Sequence, residues 1–107
     1  MTAGVETMSF GLSPDIIEKM RGVFADYPEI EQVVVYGSRA LGKHRNASDI
    51  DLTLMGDGLA WSHLQRIETE LDDLLLPWKI DISLFQQIDN PDLIAHIQRV
   101  GKVLYKR

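Results

Sequence analysis

The sequence predicts an α/β chain of the α+β kind, one small domain built on a mixed β-sheet with helices packed mainly on one face. Along the chain, apolar residues switch between helical spacing and strict every-second-residue spacing, and most of these runs end at glycine or proline. At 107 residues there is also too little chain for two separate cores, because each half would bury too little of its own surface.

Residues 1–12 mix small, polar and isolated apolar types without a period, so a loose leader is expected there and the domain itself over 13–107. Ser13 and Pro14 suit an N-cap and a first helical position. Ile16, Ile17, Met20, Val23 and Phe24 then recur at helical spacing until Tyr27-Pro28. Ile30 to Tyr36 is rich in β-branched residues and ends at Gly37, as a strand buried on both faces does. Ser38 to Ser48 reads as a short helix or turn followed by a loop. From Asp49 the run Asp-Ile-Asp-Leu-Thr-Leu alternates strictly, turning Ile50, Leu52 and Leu54 toward the core until Gly56-Asp57-Gly58 ends it. Leu64, Ile67, Leu71, Leu74 and Leu75 mark a helix closing at Pro77, and Lys79 to Phe85 alternates as a third strand with Ile80, Ile82 and Leu84 inward. Asn90-Pro91 opens a last helix carrying Leu93, Ile94, Ile97 and Val100, which Gly101 ends before a short strand at Val103 to Tyr105. The second face of the sheet is left for a ligand.

Composition narrows the chemistry. The chain has no cysteine, so any metal must be held by oxygen or imidazole. Its net charge of -5 argues against a nucleic-acid partner, whose phosphates would have to be neutralised by Lys and Arg. No apolar stretch approaches the length of a membrane span, and no basic-then-apolar leader opens the chain; a cytoplasmic location is the default expectation.

Asp49 and Asp51 lie two apart on an expected strand and so share a face, with Cα atoms roughly 6 to 7 Å apart. Two like charges held there call for a cation, and Mg²⁺ bound by carboxylates together with substrate phosphates is a common answer. Asp81 takes the matching phase of the next strand. The three carboxylates would supply enough ligands for two ions, one activating a hydroxyl and one holding the leaving group. Alone, an Asp-x-Asp pair is more often just the solvated face of a sheet. Gly37-Ser38, directly after the buried strand, adds a second signal, because glycine lets backbone amides approach a phosphate and the serine hydroxyl adds a donor. Arg39, Lys43 and Arg45 make the same segment locally basic in an acidic chain, which suits a triphosphate.

Taken together, Gly37-Ser38-Arg39-Ala40-Leu41-Gly42, a short loop and Ser48-Asp49-Ile50-Asp51-Leu52 resemble the signature of minimal nucleotidyltransferases of the DNA polymerase β superfamily. The resemblance extends to Lys79-Ile80-Asp81-Ile82 and to the ending Gly101-Lys102-Val103-Leu104-Tyr105. It implies that Gly37 and Ser38 bind the phosphates of ATP, that Asp49 and Asp51 bind both Mg²⁺ ions, and that Asp81 completes the catalytic metal site. Leu41 stands where many members carry an arginine, and Arg39, Lys43 or Arg45 would have to replace that phosphate contact. Stand-alone members of this kind resemble antitoxins of prokaryotic two-gene modules, which silence a HEPN ribonuclease toxin by transferring AMP to one of its tyrosines. The same role is expected here, in a hetero-complex or a homodimer. The competing expectation is a non-catalytic nucleotide-binding partner that neutralises a toxin by contact alone; a metal phosphohydrolase comes third. The histidines have no ligand spacing: His44 falls within reach of a phosphate site, while His63 and His96 read as surface helix residues. Trp61, Trp78, Tyr36 and Tyr105 read as filling core edges.

Overall fold

The computed structural model describes residues 8–107. In chain order the elements are α1 (Pro14–Ala25), β1 (Gln32–Tyr36), α2 (Ser38–Leu41), β2 (Ile50–Met55), α3 (Trp61–Asp72), β3 (Ile80–Leu84), a single 3₁₀ turn (Phe85–Gln87), α4 (Pro91–Val100) and β4 (Lys102–Lys106). Four strands form one mixed sheet in the order β3-β2-β1-β4. The central strand β1 runs antiparallel to both β2 and β4, whereas β2 and β3 are parallel, with α3 as their crossover.

Side-chain alternation assigns the two faces. Val33 and Val35 of β1 and Ile50, Leu52 and Leu54 of β2 are buried together with Ile17, Met20 and Phe24 of α1 and Leu64, Ile67 and Leu71 of α3. The β1–β4 ladder carries an irregularity between Val33 and Val34, which pair with Tyr105 and Val103, so Leu104 is the extra residue. As a result Leu104 is buried in the core while Tyr105 packs its ring 5.9 Å from that of Phe24. The opposite face carries Val34 and Tyr36 of β1, Asp51 and Thr53 of β2, and Asp81 and Ser83 of β3. Here α4 crosses β1: a Cβ at Gly101 would collide with the Ile97 carbonyl and lie 2.6 Å from Val34 Cγ1. Two of the longer helices therefore cover one face, and the third closes part of the other beside the ligand surface.

Two expectations are corrected. Residues 1–7 of the expected leader lie outside the described residues, but its last part is packed. Ser9 and Leu12 exchange backbone hydrogen bonds of 3.0 and 2.8 Å, Leu12 is fully buried, and Phe10 packs against the core. Isolated apolar residues bury as well as periodic ones but leave no pattern to read. Leu75, expected on the apolar stripe of α3, lies beyond the helix in a left-handed turn at φ 56° and is 87% exposed. Proline restricts its predecessor to extended backbone, and the chain leaves the helix well before Pro77.

Candidate active site

Gly37 stands where β1 ends and α2 begins. Its backbone takes φ 76° and ψ −155°, and a Cβ there would run into Oδ2 of Asp51. Tyr36 faces Asp51 across the β1–β2 ladder, and Asp51 is in turn the register partner of Asp81 on the parallel β3. Adjacent strands are about 4.8 Å apart, so the two carboxylates are immediate neighbours on the open face. Asp49 lies just before β2 rather than within it and is exposed, but it keeps the phase of Asp51. The sheet thus brings Gly37, Ser38, Asp49, Asp51 and Asp81 to one corner.

That corner is electrostatically unbalanced. Burial, then the charges of Asp81 and Asp49, raise the pKa of Asp51, partly offset by His96. Burial also raises the pKa of the Tyr36 phenol, and both Asp51 and Asp81 add to it against a hydrogen bond with Ser83. Lys79 gives a partial counter-charge, its Nζ 3.5 Å from Oδ1 of Asp81. Among the described residues no three His, Asp or Glu side chains are grouped closely enough to enclose an ion. Asp51 and Asp81 stand side by side on the open face. An all-oxygen, anionic pair of this kind fits Mg²⁺, which keeps waters and substrate phosphates in its shell and needs only one or two carboxylates from the protein.

The basic segment divides. Arg39 is turned inward, only 2% exposed, and its guanidinium donates to the carbonyls of Phe10 (2.7 Å) and Ser48 (2.9 and 3.2 Å). Burial lowers its pKa. With its donors used in this way it is not placed to bind phosphate, contrary to expectation; a basic residue beside Gly-Ser reads the same whether its side chain points out or in. Lys43 and Arg45 are exposed in the loop after α2 and form no ion pair among the described residues. Leu41 is 45% exposed.

The histidines also rearrange. His96, read as a surface residue, belongs to the site: its Nε2 accepts a 3.1 Å hydrogen bond from the Gly37 amide, and its ring meets the Tyr36 ring edge-on. No spacing signals this contact, which exists only because α4 crosses β1. His44 instead packs beside Gly11 and Arg39, while His63 accepts the Ala60 amide at the start of α3.

The sequence over residues 18–107 matches the family described as polymerase beta, nucleotidyltransferase. The chain belongs to the polymerase β nucleotidyltransferase family. No curated protein sequence matches it significantly. Among solved structures, a chain of a toxin–antitoxin crystal structure with AMP-PNP is similar at 19% identity and a TM-score of 0.69, covering 85% of this chain and 73% of that one. A variant of the MntA–HpeT toxin–antitoxin pair is similar at 19% identity and a TM-score of 0.67, over 85% and 73% of the two chains. A third is a chain of the tri-AMPylated Shewanella oneidensis HEPN toxin in complex with MNT antitoxin, at 17% identity and a TM-score of 0.64, over 86% and 71%. At these identities the likeness is one of fold. As a nucleotidyltransferase of the polymerase β family, this chain carries Gly37, Ser38, Asp49, Asp51 and Asp81 at the corner where the sheet opens.

Proposed function

We propose that the protein transfers AMP from ATP to the hydroxyl of a protein acceptor, a tyrosine of a HEPN-type toxin, and thereby serves as the antitoxin of that pair. The observation that carries this reading is Asp51, in register with Asp81 and packed against the Gly37 position where a side chain would collide with it. Further support comes from the fold shared with chains of complexes that contain AMP-PNP or an AMPylated HEPN toxin. Asp49 and Asp51 would hold both Mg²⁺ ions and Asp81 would complete the one on the acceptor side. Bound there, the ions would lower the pKa of the attacking hydroxyl and neutralise charge on the leaving group. Gly37 and Ser38 would seat the triphosphate, with the exposed Lys43 and Arg45 as counter-charges at its rim. The acceptor oxygen bonds to the α-phosphorus, the bond to the β-phosphate oxygen breaks, pyrophosphate leaves, and the hydroxyl proton passes to solvent beside Asp81.

Incubating the purified protein with a candidate HEPN partner, ATP and Mg²⁺ tests this through the intact mass of the partner. A gain of one or more AMP groups on a tyrosine is expected; an unmodified partner, with ATP and metal shown to bind, refutes the transfer. A contact-only antitoxin is the second reading, favoured by the exposed Leu41 in place of the motif arginine. Asp49→Asn separates the two, since an enzyme loses transfer and neutralisation together and a contact inhibitor keeps neutralising.

A further inference from the structure

Arg39 and Trp78 donate to backbone carbonyls, and apart from that of Phe10 these carbonyls belong to the loop that leads into Asp49. Arg39 follows Ser38 on α2, and two of its nitrogens, Nε and Nη2, converge on the carbonyl of Ser48, the oxygen of the peptide bond that leads into Asp49. Trp78 stands three residues before Asp81, and its indole Nε1 donates to the Asn46 carbonyl at 2.6 Å. The Arg39 guanidinium lies 5.3 Å from the centre of the Trp78 ring, so the two side chains also stack on each other. Next to them, Ile50 opens the β2–β3 ladder by donating to the Lys79 carbonyl at 2.9 Å.

This arrangement answers a need specific to Asp49. Asp51 and Asp81 are set by the sheet ladder, but Asp49 lies before β2, exposed, at the end of the loop 43–49. The ladder reaches it only from one side, through the Ile50 amide that follows it. Meanwhile Arg39 is buried without a carboxylate partner among the described residues, a costly placement for a permanent charge unless its hydrogen bonds serve some purpose. We infer that Arg39 and Trp78 act as one positioning unit, which clamps the loop 43–49 between α2 and the bend leading into β3 and so holds Asp49 in place beside Asp51. The unit ties the phosphate-binding turn, the first carboxylate and the bend that leads into the strand of the third carboxylate to one stack of buried Arg39 and half-buried Trp78. As a metal-site device the inference rests on the proposed function; as a clamp on the loop it does not.

Trp78→Phe keeps a smaller ring beneath the guanidinium and removes the donor to Asn46. Arg39→Lys keeps the charge and removes the fork on Ser48. Two measurements apply to each folded variant. On the protein without metal or nucleotide, amide hydrogen exchange over residues 45–50 is expected to quicken about tenfold, with α1 and α3 unchanged. Titration with Mn²⁺ in the presence of AMP-PNP, followed by electron paramagnetic resonance, is expected to show affinity weakened by about tenfold, as for other groups that orient metal ligands. AMP-PNP affinity without metal should stay within about twofold. If Arg39→Lys does not fold, Trp78→Phe decides. Unchanged exchange over 45–50, exchange that quickens evenly across the chain, or unchanged Mn²⁺ affinity in folded Trp78→Phe overturns the inference. If the parent protein binds no Mn²⁺, the proposed function and the metal role fall together, and the exchange measurement still decides whether the clamp exists.

Discussion

Position 37 excludes any side chain twice, by its positive φ and by the Asp51 carboxylate occupying the place of a Cβ. Gly37→Ala should cost about 1–3 kcal/mol of stability, measured by denaturant unfolding, and weaken nucleotide binding by calorimetry. Asp51 makes the opposite prediction. Its raised pKa, caused first by burial and then by Asp81 and Asp49, means that the folded metal-free chain holds this proton more tightly than the unfolded chain does. The stability it contributes is complete below the ordinary carboxylate range and is lost as pH rises through the raised value. Asp51→Asn should therefore raise the melting temperature of the metal-free protein at neutral pH while abolishing transfer; a lower melting temperature would contradict this electrostatic account. His96 Nε2 accepts a hydrogen bond from the Gly37 amide. His96→Phe keeps the ring against Tyr36 and loses the acceptor, so KM for ATP should rise several-fold more than kcat falls, with partial recovery in His96→Gln. At this scale the sequence reveals the aspartates and the glycine, because their chemistry depends on type and phase. It conceals His96 and the inward turn of Arg39, because both depend on which elements touch.

Elements with local signals are the legible ones. The caps at Ser13 and Asn90 stand where read, and the alternation of β2 and β3 puts Asp51 and Asp81 on the face opposite the core. Leu75 misled because an apolar residue just past a helix continues the spacing after the backbone has turned away. The side of the sheet chosen by α4 is equally hidden, since Leu93, Ile94, Ile97 and Val100 would suit either face. Asn90 makes a test at this scale. Its side chain accepts the amides of Asp92 (2.9 Å) and Leu93 (3.3 Å), and α4 carries His96. Asn90→Ala should cost about 1 kcal/mol in thermal unfolding. It should also weaken nucleotide binding without any change in the site itself, and unchanged binding would show that α4 does not need its cap to place His96.

For the whole molecule, the bulge in β4 matters more than its length suggests. Leu104 reaches the core through it, on a strand whose other residues are mostly exposed. Leu104→Ala should cost about 2–5 kcal/mol, checked by denaturant unfolding, and should loosen the β1–β4 ladder before the β1–β2 ladder in hydrogen exchange. The acidic surface and the two-sided sheet were foreseeable from composition and alternation; the bulge was not, because one added residue changes no periodicity. The strand order carries a consequence for synthesis. β1 lies between β2 and β4, and its β4 partner is made about 70 residues after it. During translation the middle of the sheet therefore waits with one edge bare, able to pair with another nascent chain, until the last strand has cleared the ribosome.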